Sequence, residues 1–198
     1  MEPVAGDHRC MAEDESLAPT LLLAMPQLVD RNFSRSVILL CEHSPKGAIG
    51  FVVNRPTDML AAETVALDPP PRGDSGLKLW TGGPVEQHRG FLLLGAEPSD
   101  GQSERIGDGF HLTASVDVLR RLIEATPAVA EGWRARLLLG YAGWGPGQLD
   151  AELAASAWLT ATADPRIVFD TPPDAMWERA IRSLGVDPLA LQAAPGIQ

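Results

Sequence analysis

A chain of 198 residues that is 45% hydrophobic can close one sizeable core, and it carries a formal charge of −10 with a pI near 4.8. That balance repels phosphate backbones and anionic lipid headgroups, which disfavours direct action on duplex DNA or at a charged membrane surface. Lys46 and Lys78 are the only lysines and the arginines form no block. No apolar run approaches the ~20 residues that span a bilayer; the strongest, Leu17 to Met25, is short and interrupted by Pro19.

Residues 1–16 hold Glu2, Asp7, Glu13, Asp14 and Glu15 with almost no large apolar side chain. They lack the basic and apolar regions of a signal peptide and read as a disordered acidic tail. One domain is expected over 17–191, followed by a flexible tail over 192–198. Cys10 and Cys41 show no framework spacing, which points to a reduced, cytoplasmic protein.

Leu21 to Met25 predicts a buried strand closed by Pro26. After a polar loop, Arg35 to Pro56 reads as a hairpin whose turn is Ser44-Pro45-Lys46-Gly47, a type I turn followed by a left-handed glycine. That geometry pairs His43 with Ile49, Cys41 with Phe51, Leu39 with Val53 and Val37 with Arg55, all on one face, with Glu42 and Asn54 on the other. Pro56 is expected to end the second strand. A short helix is expected within 58–67, then a proline- and glycine-rich loop over 68–76. Strands follow at 78–81 and 90–95, then a polar loop and a further segment to Thr113. Ser115 predicts the cap of a helix to Glu124 with Val118, Leu119, Leu122 and Ile123 inward and Pro127 beyond its end. In 134–141, Arg136, Leu138 and Gly140 alternate with Ala135, Leu137, Leu139 and Tyr141, a strand pattern. A helix is expected over 147–159, a last strand over 166–169, and a closing helix introduced by a Thr171/Asp174 capping box, with Trp177, Ala180, Ile181 and Leu184 as its stripe. Strands outnumber helices and hairpins outnumber crossovers, so the fold class is α+β: a single domain around a mixed, largely antiparallel sheet that curls toward a barrel, with flanking helices.

Three groups of residues bear on chemistry. Cys41 and His43, two apart on one strand, could place an imidazole beside a thiol for nucleophilic or redox use, against the plainer reading of a small buried cysteine. Asn54 and Arg55 deliver an amide and a guanidinium to one rim of the hairpin, with Arg35 close by and Arg89 able to join. Converging arginines would clamp an anion or carboxylate; the plainer reading pairs each with one of the many acids. Gly143-Trp144-Gly145-Pro146-Gly147 precedes a helix but matches no nucleotide fingerprint, so it reads as a sharp turn seating Trp144 in the core or at a pocket wall. No metal site and no cofactor is expected.

These segments resemble the YqgE/AlgH family of small bacterial proteins. The marks are Ala24-Met25-Pro26, Phe33, Arg35-Ser36-Val37, Cys41-Glu42-His43, Gly47 to Gly50, Asn54-Arg55-Pro56, Gly82 to Val85, Arg89-Gly90-Phe91, Leu112-Thr113, the run from Gly140 to Leu149, and Trp158-Leu159. Leu94 stands where a histidine is common and Ser156 where asparagine is. The resemblance implies a bifurcated sheet forming a pseudo-barrel, a cytosolic setting and no established reaction. Family members are often labelled transcriptional regulators, yet nothing here resembles a helix-turn-helix unit. The expectation is a non-enzymatic binding or regulatory protein for a protein or small-molecule partner, using Asn54, Arg55, Arg35, Arg89 and Trp144. A direct DNA-binding regulator and a thiol enzyme or redox sensor at Cys41 and His43 are the alternatives.

Overall fold

The computed structural model describes residues 16–28, 33–98, 101 and 103–193. The acidic stretch 1–15, Cys10 and residues 194–198 lie outside the described residues, and the expected tails fall almost wholly there.

β1 (Thr20–Ala24) pairs antiparallel with β2 (Val37–Ser44), Leu21 opposite Leu39. β2 continues into β3 (Gly47–Val52) in a register different from the expected one. Pro45 and Lys46 alone make the turn, and a bulge at Cys41 shifts the ladder again, so Leu39 faces Phe51 rather than Val53. Gly47 permits the tight return, since a Cβ there would stand 2.4 Å from the Trp144 carbonyl oxygen.

β4 (Pro56–Leu60) and β5 (Lys78–Thr81) pair antiparallel, so Pro56 begins a strand instead of closing one. The expected helix shrinks to α1 (Ala61–Thr64), because the Thr57 hydroxyl and the Arg55 carbonyl are both drawn into bonds with β5. β6 (Val85–Leu94) starts earlier than the sequence suggested, and β7 (Glu104–Gly107) and β8 (Phe110–Thr113) form a hairpin. α2 (Val116–Glu124) matches its expectation: Ser115 Oγ accepts from Val118 N, and Val118, Leu119, Leu122 and Ile123 are buried. α3 (Pro127–Gly132) was not anticipated, because Pro127 serves as its first residue rather than as a stop.

β9 (Arg136–Trp144) leads to α4 (Gln148–Ala154), which ends early; Ser156, at φ 58, turns the chain into β10 (Trp158–Thr162). Leu159 therefore belongs to a strand paired with β1, not to the helix. The segment read as a last strand is α5 (Pro165–Asp170): Pro165 occupies the first turn and Asp164 caps it by accepting from Arg166 N. α6 (Pro173–Ser183) buries Met176, Trp177, Ala180 and Ile181, while Leu184 stays 38% exposed at its end. Its capping box does not form; the Thr171 hydroxyl donates to Arg166 O instead. α7 (Pro188–Ala193) completes the described chain.

The strand order is β10-β1-β2-β3-β9-β6-β8-β7, with β5 joining β9 from the side in parallel and carrying β4. β9 is the branch point. Its Ala142–Trp144 end pairs with β3, while its Leu137–Leu139 segment lies between β5 and β6. The sheet forks there and curls into a half-barrel. Gly140 permits the fork: it sits at φ 70, and a Cβ would approach Gly83 O to 2.5 Å. Alternation along β1 to β3 sends Leu21, Leu23, Val37, Leu39, Phe51 and Val53 to one face, under α5 and α6. Leu22, Ile38, Leu40 and Val52 face the opposite way, toward Trp144, Trp158 and α4. A third cluster lies beneath α1 and α2.

Candidate functional site

The residues singled out in the sequence divide among three places. Asn54 ties two segments together, its Oδ1 accepting from Val37 N at 2.9 Å and its Nδ2 donating to Arg35 O at 3.0 Å. Arg55 donates to Ser34 O, and so lies beside the same crossing. Arg35, at φ 54, turns its guanidinium over the Trp177 ring (5.2 Å) and toward Glu178 (3.7 Å). The three meet, but each is engaged by backbone, ring or carboxylate. Arg89 is occupied elsewhere, 3.1 Å from Glu86 and 4.9 Å from the Phe91 ring centroid. Trp144 lies across the sheet from Trp177, 7% exposed. Its Nε1 donates to Glu152 Oε2, as does Trp158 Nε1, while Gln148 donates to Glu152 Oε1.

The thiol and the imidazole are separated by the bulge. Cys41 packs on the face of Leu39 and Phe51, and Glu42, opposite Ile49, shares that side rather than the other. His43 lies opposite Ala48, whose side chain belongs to the second cluster. The Cys41 Sγ donates to Leu39 O at 3.5 Å, and burial, reinforced by the Glu104 carboxylate, pushes the thiol up to about 12. His43 Nδ1 accepts from Leu17 N (3.4 Å), and its Nε2 stands 3.2 Å from Asp150 without hydrogen-bond geometry. Among the described residues no group of three or more His, Cys, Asp or Glu could hold a metal ion.

The most distinctive chemistry lies at Arg136, which the alternation of its strand marks only as one more strand residue. Arg136 is 5% exposed, and its two terminal nitrogens donate to Val53 O and Val168 O. Its guanidinium is flanked by Trp80, 4.1 Å from Cζ to the ring centroid, and Phe169, at 5.6 Å. No carboxylate pairs with it among the described residues, and burial lowers its pKa to about 10. A guanidinium has five N–H donors, of which these two bonds use two. Its Nε has no partner among the described residues, yet it is not one of the polar atoms sealed from solvent.

A cavity of about 550 Å³ opens beside it, walled by Pro56, Trp80, Phe169, Pro172 and Pro173. Lys78 and Arg134 stand at its edge with Asp170, which is 2.9 Å from Arg134. The placement follows from strand alternation. Leu79 lies beside Leu137 in the β5–β9 ladder, so Lys78 and Arg136 occupy the adjacent position, and Trp80 follows on the same face. The available signal was a cation in an apolar strand, on the face of buried Leu138.

Fold and site together define a forked α+β half-barrel with a buried cation at the floor of an open cleft. The chain belongs to the AlgH-like family, whose model matches residues 21–189. A UPF0301 protein of Ruegeria pomeroyi is 43% identical over 185 residues, covering 91% of this chain and 98% of the relative. Another from Bordetella avium is 43% identical, covering 88% of each. The solution structure of the AlgH protein from Pseudomonas aeruginosa superposes with a TM-score of 0.69 at 36% identity, over 95% of this chain and 99% of that one. A Corynebacterium diphtheriae crystal structure, at 22% identity and TM-score 0.63, shares the fold. None of these names carries a reaction. No helix among the described residues is long and apolar enough to cross a membrane.

Proposed function

We propose that this protein is a cytoplasmic binding protein rather than an enzyme, and that it takes a small anionic ligand in the cleft floored by Arg136. The observation that carries this reading is a buried guanidinium with no carboxylate partner among the described residues, beside a cavity of about 550 Å³. A buried charge without a counter-ion is costly, and a bound anion would offset that cost. The volume suits a small molecule. The polar groups of the walls favour holding over reacting: Asp170 is paired with Arg134, and the Thr171 hydroxyl donates to Arg166 O. The free Cys41 thiol supports a reducing compartment. α3, which follows α2 after two residues, carries no lysine or arginine, and this supports a ligand other than duplex DNA.

The test is thermal unfolding against a panel of small carboxylates and phosphates, for wild type and Arg136→Met. Stabilisation of wild type that grows with the logarithm of ligand concentration is expected, about 2.7 kcal/mol at one hundred times Kd. Arg136→Met, which also strips the donors from Val53 O and Val168 O and so starts from a lower midpoint, should show no such shift with ligand. If no anion stabilises wild type beyond the effect of equivalent chloride, the reading fails.

A further inference from the structure

Resting on that reading, we infer that the cleft selects a compact dianion, a phosphate monoester, over a monocarboxylate or a dicarboxylate with separated charges. Three cations line it, Lys78, Arg134 and Arg136, against the single carboxylate of Asp170, a formal excess of two positive charges in a chain whose formal charge is −10. A monoanion would leave one of those charges unmatched at a partly desolvated site.

The arrangement also favours a compact charge over a divided one. Lys78 and Arg136 stand side by side on adjacent strands, and Arg134 precedes Arg136 by two residues. All three cations line the same cavity, whose lining from Thr171 to Pro173 carries no cation to meet a second, separated carboxylate. Lys78 is exposed and has no ion-pair partner among the described residues, so it is free to turn toward a ligand. The rings of Trp80 and Phe169 and the prolines supply an apolar wall for the body of the ester.

Asp170 then acts as a built-in competitor. It stands 2.9 Å from Arg134, and a phosphate must share or displace it. Neutralising it should strengthen binding, a direction opposite to that expected of a residue that merely supports the fold.

The experiment is titration calorimetry of the full chain with four probes: phenyl phosphate, inorganic phosphate, benzoate and succinate. At about pH 7.5 phenyl phosphate should bind about tenfold or more tighter than benzoate, which carries the same ring and one charge. The advantage should shrink toward about pH 5, where the phosphate loses its second charge, its second pKa being about 6. Inorganic phosphate should bind detectably but more weakly than the ester, lacking the ring. Lys78→Met, an exposed position that leaves the fold intact, should weaken phenyl phosphate about tenfold, and Asp170→Asn should tighten it. Equal affinity for benzoate and phenyl phosphate, or tighter binding of succinate, overturns the dianion proposal while leaving the anion-binding reading standing. Weaker binding by Asp170→Asn also overturns it. Failure of all four probes to bind wild type overturns both.

Discussion

Among single residues, Arg136 and Cys41 show how burial decides chemistry. Both are titratable groups carried on apolar strands, and desolvation moves each toward its neutral form, the guanidinium down to about 10 and the thiol up to about 12. The sign for Cys41 is definite. Its folded pKa lies above the unfolded value of about 8.5, so its contribution to stability is complete below about pH 8.5 and is lost as pH rises toward 12. Arg136 counts only above about pH 10, where the unfolded chain binds the extra proton and stability rises with pH. Between about pH 8.5 and 10 wild type should therefore lose up to about 2 kcal/mol relative to Cys41→Ala, measured by urea unfolding at each pH. Parallel profiles for the two proteins would show that the thiol is solvated. Side chains at the rim behave differently from those inside. Phe51→Ala, which removes a ring 1% exposed, should cost about 3–5 kcal/mol, whereas Arg55→Ala, which removes one bond to Ser34 O, should cost about 1 kcal/mol. Chemical denaturation of the pair separates them; equal losses would make Arg55 a core support.

At the scale of elements, the β9–α4–β10 unit is held by a single carboxylate. Glu152 on α4 accepts from the indoles of Trp144, at the end of β9, and Trp158, at the start of β10. Glu152→Ala leaves two buried N–H donors unpaired and should cost about 2–4 kcal/mol, while Glu152→Gln keeps an acceptor and should cost about 1 kcal/mol. Unfolding midpoints of the two variants check this; equal costs would mean that water replaces the carboxylate. α2 was legible from sequence because its cap, its stripe and its length agree, and all three are local. β10 and α5 were not. The segment Ala157-Trp158-Leu159 continues the apolar spacing of α4, and only pairing with β1 makes it a strand. Arg166 to Phe169 has strand-forming residues, but Pro165 and the Asp164 cap impose a helix.

For the whole molecule, a fork in the sheet creates the site. β9 cannot pair with β3 and with β5 along the same side at the same residues, so the two partners divide its length, and the pocket opens where β4, β5 and the α5–α6 corner surround the Arg136 end. At this scale the net charge also decides. With −10 overall, the chain should show no sequence-specific duplex binding at physiological salt, as measured by footprinting in excess competitor DNA. A footprint that survives competition would overturn this. Composition and local pattern were sufficient by themselves for the α+β class, the first hairpin, the capped α2, the apolar stripe of α6 and the family resemblance, because each depends on short-range periodicity or on residue identity. Only the tertiary structure decided the hairpin register, the separation of Cys41 from His43, and the choice of Arg136 over Arg35, Arg55 and Arg89 as the arginine beside a cavity. A single bulge moves a side chain to the opposite face of a strand, and whether a guanidinium is paired depends on neighbours distant in sequence: Val53, Trp80, Val168 and Phe169 surround Arg136 only after the strands and α5 have packed.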